Sequence, residues 1–305
     1  MRRTALGALC LVVFAGALAV AQQRPQRAPD PRSMGGGDCR DNPYNCAGAP
    51  NPLATPDTVW LEEMTWMDVR DAMKAGKTTA IISTGGIEPN GPWLALGKHN
   101  YVLAANCDAI ARKLGNALCA PIIKLVPEGD ISPKTGHMLS PGTMTMREET
   151  FEAVLTDAAN SLQAHGFTNI VFIGDSGGNQ QGQKTVAEKL TAQWAGRALA
   201  LHIAEYYDYA GAAKYMSEHG IKQAEPGDAL HDDPIIALNM FATDPKTIRY
   251  DARVKAGKAT INGVSLADRA TAVAWAKQIV DFRSSIAVTA INKAIAAKGK
   301  ATMAP

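Results

Sequence analysis

Thr78-Thr79-Ala80-Ile81-Ile82-Ser83 is a short apolar run, and Thr84-Gly85-Gly86-Ile87-Glu88-Pro89-Asn90-Gly91-Pro92 follows it at once. The first stretch reads as a central parallel strand, and the second as a glycine-bearing loop that continues to Lys98. Upstream, Thr65 can cap a helix running to Ala75, with Met67, Val69 and Met73 on its buried side. Downstream, a helix over Tyr101–Gly115 leads to a second strand over Pro121–Val126. After a long loop through Gly136, Pro141 and Gly142, Phe151, Val154, Leu155, Ala158 and Leu162 recur at helical spacing within Arg147–His165, and Gly166 ends that helix. Asn169–Ile173 is the third strand, Gly174–Asn179 a tight turn, Gln180–Trp194 a helix and Ala198–Ile203 the fourth strand. Strands alternating with helices of these lengths predict an α/β fold whose parallel sheet is covered on both faces. Beyond Tyr206 the pattern suggests a short helix over Ala210–His219, a polar loop to Asp233, a helix or strand over Ile235–Phe241 and a long helix over Leu266–Lys298.

The chain has 305 residues, 46% hydrophobic and 20% charged, enough to bury a large core, so disorder and coiled coil are excluded. Arg2 and Arg3, the apolar run Ala5–Leu18 and the small residues Ala19-Val20-Ala21 have the three-part form of a secretory signal over 1–21. That run is shorter than the roughly 20 residues of a membrane-spanning helix. The reading is therefore an exported protein, periplasmic or secreted, with no membrane attachment after signal removal. Residues 22–56 are rich in Pro, Gly, Gln and Asn and read as a flexible arm, leaving 57–300 as the folded domain. Lys and Arg total 31 against 29 acidic residues, and the balance becomes even once Arg2 and Arg3 are removed. A neutral chain makes no electrostatic case for nucleic acid. In an oxidising compartment Cys39 and Cys46, which flank a short loop, are the first choice for a disulfide, while Cys107 and Cys119 also read as buried thiols.

The loops Thr84–Lys98, Pro127–Thr145 and Gly174–Asn179 all follow strands and should share one sheet edge, where ligands bind in such folds. A carboxylate such as Glu88, among residues that force an irregular backbone, can bind a divalent metal or take a proton. His99 closes the same loop, and neutral imidazole is a common ligand of zinc or manganese. In Gly174-Asp175-Ser176-Gly177-Gly178-Asn179 the glycines free backbone N–H groups before a helix, which suits an oxyanion or carboxylate. The same run fits a Gly-x-Ser-x-Gly nucleophile elbow, with Asp208 or Asp228 and then His231 in the required chain order. It also spells a motif of trypsin-like proteases, excluded because those are all-β. His137 lies in a loop long enough to act as a lid or wall, and Trp93 is the aromatic candidate for a pocket wall.

From Trp60 to Asn292 these features resemble the creatininase (creatinine amidohydrolase) family. Trp60-Leu61-Glu62-Glu63-Met64-Thr65-Trp66 is similar to its opening segment, and Ile87-Glu88-Pro89-Asn90-Gly91-Pro92-Trp93-Leu94-Ala95-Leu96-Gly97 to its Glu-Gln-His-Gly-Pro-His-Leu-Pro-Leu-Gly-Thr-Asp motif. His137 with Ser140-Pro141-Gly142-Thr143 resembles its His followed by Phe-Pro-Gly-Thr, and Ser176-Gly177-Gly178-Asn179 its His-Gly-Gly-Asn. The resemblance implies a three-layer α/β/α sandwich with a mostly parallel sheet, assembly into rings, and a pair of divalent metals that activate water against a small amide.

Glu88 retains the family's first glutamate, but the motif's His is Asn90, its Asp is His99, the His of His-Gly-Gly-Asn is Ser176, and the late His-Ala-Gly-Glu appears only as His231-Asp232-Asp233-Pro234. A neutral amide or hydroxyl oxygen binds zinc far more weakly than imidazole. The implied centre is therefore rearranged and holds zinc or manganese, one ion rather than two, with Glu88, Asn90, His99 and Asp175 as ligands. Glu88, His99, Asp175, Ser176 and His231 are the candidate catalytic groups, and Trp93, His137, Gly177, Gly178 and Asn179 the candidate substrate contacts. The expected activity is hydrolysis of a C–N bond in a small amide or lactam. Two alternatives stay open: a serine amidase using Ser176 with His99 or His231 as base, and an exported binding protein that holds no metal.

Overall fold

The computed structural model describes residues 30–34, 37–224 and 232–301. The signal predicted over 1–21 and the candidates Asp228 and His231 lie outside them. The chain divides into two units, one ending at Ala54 and one beginning at Thr55. Within the first, read from sequence as a flexible arm, a disulfide joins Cys39 to Cys46 around the 3-10 turn Pro43–Asn45, and Arg32 Nη2 lies 2.8 Å from Asp30 Oδ2.

In the second unit the order is α1 (Trp66–Lys74), β1 (Thr79–Thr84), α2 (Lys98–Leu114), β2 (Ala117–Cys119), α3 (Glu148–Ala164), β3 (Asn169–Gly174), α4 (Gln180–Trp194), β4 (Leu199–His202), α5 (Tyr209–Glu218), α6 (Pro234–Thr243), α7 (Tyr250–Lys255), β5 (Thr260–Ile261), β6 (Val264–Ser265) and α8 (Arg269–Ala301). Four parallel strands form the main sheet in the order β2-β1-β3-β4, and β5 and β6 pair as an antiparallel ribbon.

Alternation along the strands builds the layers. Ala80 and Ile82 of β1 and Ile170 and Phe172 of β3 pack with Phe151 and Leu155 of α3 and Val186 and Leu190 of α4. Their neighbours Ile81, Val171 and Ile173 turn to the other face, toward Leu103, Cys107 and Ile110 of α2 and Ala287 and Ile291 of α8. Every residue of β1 is buried, as expected of a strand covered on both sides. The fold is a three-layer α/β/α sandwich. No helix among the described residues is long and apolar enough to cross a membrane.

Local signals act as read where they are strong. Thr65 caps α1 in a capping box with Asp68. The ambiguous Ile235–Phe241 segment is helical: Pro234 sits in the first turn, Asp233 accepts from Ile236 N at 2.9 Å, and the helix is buried on all sides in a third apolar cluster.

The second strand is displaced from the reading Pro121–Val126. It is Ala117–Cys119, and Pro121, lacking an N–H, falls where the pairing breaks. The chain then rejoins β1 farther along: Ile123 N donates to Ser83 O at 2.9 Å, and Gly85 N to Ile123 O at 2.9 Å. Cys107 and Cys119, read also as thiols, are disulfide-bonded and tie α2 to β2. Helix α2 begins at Lys98 rather than at Tyr101, which places Lys98 and His99 in its first turn.

Candidate functional site

β2 and β3 flank β1 on opposite sides, so the chain leaves β1 in one direction and returns to pair with it from the other. A crevice opens at such a point, outside the carboxyl ends of the strands. The loop after β1 brings Glu88 there, the first turn of α2 brings Lys98 and His99, and the end of β3 brings Asp175 and Ser176.

The loop is held from within. Asn100 Nδ2 donates to Gly86 O at 3.0 Å and its Oδ1 accepts from Gly86 N at 3.3 Å. Asn179 Nδ2 donates to Thr84 O at 3.1 Å and Gly85 O at 2.9 Å. A Cβ at Gly86 would meet Glu128 Oε1, so a larger residue there would have to push that carboxyl out of its place.

Glu88 is the centre of the cluster and is buried. Its Oε1 lies 2.9 Å from both Lys98 Nζ and His99 Nε2. On the far side of the imidazole, His99 Nδ1 lies 2.8 Å from Asp175 Oδ2. Asp175 in turn accepts from Arg283 Nη2 at 2.8 Å and from the Tyr209 hydroxyl at 3.0 and 3.1 Å. The Arg283 guanidinium is held between the rings of Tyr206 and Tyr209, with centroids 4.5 and 4.6 Å away.

Burial pushes the Asp175 and Glu88 carboxyls up, but cations outweigh it and hold both below the usual range. Those cations are Arg283 and His99 at Asp175, and His99 and Lys98 at Glu88. Burial and Lys98 lower His99, and its two carboxylate partners overcome them, so the ring is raised from its ordinary value. With a carboxylate on each nitrogen, His99 is an imidazolium donating both ways.

The second oxygen of Glu88 faces a different pair. His137 Nδ1 lies 2.8 Å from Glu88 Oε2 and 2.9 Å from Glu128 Oε2. One ring nitrogen carries at most one hydrogen, and the hydrogen bond goes to Glu128. Glu88 Oε2 and Glu128 Oε1 are buried with no other hydrogen-bond partner, so the two carboxyls face one another and a proton on Glu128 can be shared with Glu88. Burial, then the Glu88 carboxylate, push Glu128 up to about 9. Glu88, Glu128 and His137 each offer a ligand atom, all within 4.8 Å of one another, a donor set of the kind that zinc and manganese accept.

The sequence-predicted residues divide accordingly. Glu88, His99 and Asp175 come together, but His99 and Asp175 spend their polar atoms on one another and on Glu88, Arg283 and Tyr209. Asn90 Oδ1 accepts from Lys98 Nζ. Of the four expected metal ligands only Glu88 belongs to the three-donor cluster. His137, expected against substrate, is in that cluster, and Glu128 joins it without having been singled out.

Ser176 is buried at the turn, and among the described residues no histidine nitrogen is bonded to its hydroxyl. His99, one of the two bases considered for it, is committed to Glu88 and Asp175, and the other, His231, lies outside the described residues. Gly177 and Gly178 are exposed at the crevice edge, whereas Asn179 is buried and clamps β1. Trp93 packs against Arg253, whose Cζ is 5.7 Å from the ring, and Arg253 Nη2 pairs with Asp232 Oδ1 at 2.7 Å.

Lys98, Glu128, Tyr209 and Arg283 are the residues that sequence reasoning missed. Glu128 had a signal, being the first carboxylate of a loop already assigned to the ligand edge. Arg283 had none, since it is one cation in a 33-residue helix.

The family model described as creatinine amidohydrolase matches residues 62–304. No curated protein matches the chain. Three solved structures illustrate the likeness. A glutamate-to-glutamine variant of creatininase complexed with creatine is 17% identical and covers 79% of this chain and 99% of its own, with a TM-score of 0.53. A Zn-Zn form of that variant is 15% identical and covers 80% and 99%, with a TM-score of 0.53. A manganese creatininase is 15% identical and covers 79% and 99%, with a TM-score of 0.51.

Proposed function

Since the chain belongs to the creatininase family, we propose that it is a metal-dependent hydrolase of the amidohydrolase kind, acting on a C–N bond of a small amide or lactam. The observation that carries this is the convergence of Glu88, Glu128 and His137, which sets two buried carboxyls and an imidazole within 4.8 Å of one another. Two carboxyls buried side by side repel one another when both are ionised; a proton relieves this in the metal-free state, and a divalent cation would take the place of that proton. These three residues would hold the ion. When bound, zinc or manganese supplies Lewis acidity toward a carbonyl and toward water.

The remaining groups prepare that place. Arg283 and Tyr209 fix Asp175, Asp175 fixes the His99 ring, and His99 with Lys98 fixes Oε1 of Glu88, so that only Oε2 is presented to the donor cluster. His99 keeps a proton at Nε2 against Glu88. Ser176 and the glycine turn after it line the crevice edge with small polar groups suited to an amide substrate.

Export to an oxidising compartment, with removal of 1–21, belongs to the same reading and agrees with the Cys39–Cys46 and Cys107–Cys119 disulfides. The domain boundary near residue 57 and assembly into rings are proposed with it.

The test is elemental analysis of protein purified without chelator, followed by assay on a panel of small cyclic and linear amides. Bound zinc or manganese, and hydrolysis that chelator abolishes and the metal restores, are expected. Protein that takes up no metal at saturating concentration overturns the reading.

A further inference from the structure

Glu88 is a carboxylate with two unlike sides. Oε2 faces Glu128 and His137, while Oε1 is taken by Lys98 Nζ and His99 Nε2, both at 2.9 Å. Lys98 is 1% exposed, and its Nζ also donates to Asn90 Oδ1. An ammonium is retained in such surroundings only where an anion and further acceptors satisfy it. Glu88 and Asn90 are those partners, and the first turn of α2 delivers Lys98 to them.

A carboxylate commonly serves two cations, one on each oxygen. In this chain one of the two places is covalently filled. A second ion on Oε1 would have to displace Lys98 from Glu88 Oε1 and Asn90 Oδ1 and settle where the His99 ring already lies 2.9 Å from that oxygen. The side chain at Asn90 could offer it only a neutral amide.

Resting on the reading of Glu88, Glu128 and His137 as metal ligands, we propose that the Lys98 ammonium is a built-in cation that occupies the second oxygen of Glu88 and limits the centre to a single divalent ion. Lys98 is thus a positioning residue. It engages Oε1, leaving Oε2 to the cluster with Glu128 and His137, and it closes the other half of the pocket to a second ion.

The experiment counts ions on the full-length protein, with manganese alone as the probe. Native mass spectrometry gives the stoichiometry, and electron paramagnetic resonance separates an isolated ion from a spin-coupled pair. Wild type and Lys98→Arg are expected to bind one manganese per chain with the spectrum of an isolated ion. Lys98→Met, which keeps the length and loses the charge, is expected to bind two at saturation. Two ions or a coupled spectrum in the wild type overturn the proposal, and this result does not depend on any variant folding. A folded Lys98→Met protein that still binds only one also overturns it. No bound manganese in the wild type is a separate failure, that of the metal reading on which the proposal rests.

Discussion

His99 Nδ1 and Asp175 Oδ2 are 2.8 Å apart in the buried interior, and this contact joins the first turn of α2 to the end of β3. It is the middle of a charge chain from Arg283 through Asp175 and His99 to Glu88. Each member is buried, so each depends on the next for compensation.

Asp175→Asn tests that dependence. The amide leaves Arg283 and His99 as buried cations with a neutral neighbour, and breaking a buried pair in this way costs about 3–5 kcal/mol. Chemical denaturation of the metal-free protein should show a loss of this size. A change below about 1 kcal/mol, the scale of an exposed ion pair, would mean the chain is not coupled.

Glu128 links metal uptake to protons. Its carboxyl is raised from the usual 4.5 to about 9, so the metal-free folded state holds a proton that the unfolded state gives up between those values. The stability contributed by this group is therefore complete below 4.5 and is lost as pH rises toward about 9. Glu128→Gln should flatten that decline. A metal ligand must be deprotonated, so metal binding by the wild type should release a proton and tighten as pH rises over the same window. Calorimetry in buffers of different ionisation enthalpy measures the proton directly.

His137 is the accessible member of the cluster, with its side chain 36% exposed. His137→Ala should leave the thermal midpoint of the metal-free protein close to that of wild type. It should also weaken metal binding by more than about 100-fold, beyond the loss that follows removal of a ligand's supporting partner. Equal affinity in the variant would remove His137 from the ligand set.

Ser176 offers the opposite expectation. Among the described residues no histidine nitrogen is bonded to its hydroxyl, and His99 is engaged by Glu88 and Asp175, so no activation of Ser176 as a nucleophile is expected. Fluorophosphonate probes should leave it unlabelled, and Ser176→Ala should retain hydrolysis of whichever amide the wild type cleaves. Labelling that disappears in the variant would restore the serine mechanism.

The Cys107–Cys119 bridge closes a separation of 12 residues across the α2–β2 connection. Replacing both cysteines with alanine should cost about 3 kcal/mol by the loop-closure estimate. Urea denaturation of the oxidised protein and the double variant measures it.

Much of the architecture was legible because strand and helix periodicities are local records of burial. Ala80 and Ile82 go to one face and Ile81 to the other, which an apolar run bounded by glycines announces. The second strand was misplaced because Ile122, Ile123 and Val126 carry the same apolar signal without continuous pairing. Only the break at Pro121, and the return of Ile123 to β1, set their place. The crevice edge was also legible, since the loops after parallel strands share one end of the sheet.

Order along the chain was sufficient for the α/β layering, the family, the loop carrying Glu88 and the edge where ligands would bind, because each depends on patterns spanning a few to some twenty residues. Partnership within the site was decided only in three dimensions. Arg283 meets Asp175 across a separation of 108 residues, and His99 meets Asp175 across 76. Whether His99 became a metal ligand or an ion-paired bridge turned on which groups reached its two nitrogens. No residue type or spacing near position 99 carries that information; it resides in the packing of α2 and α8 against β3.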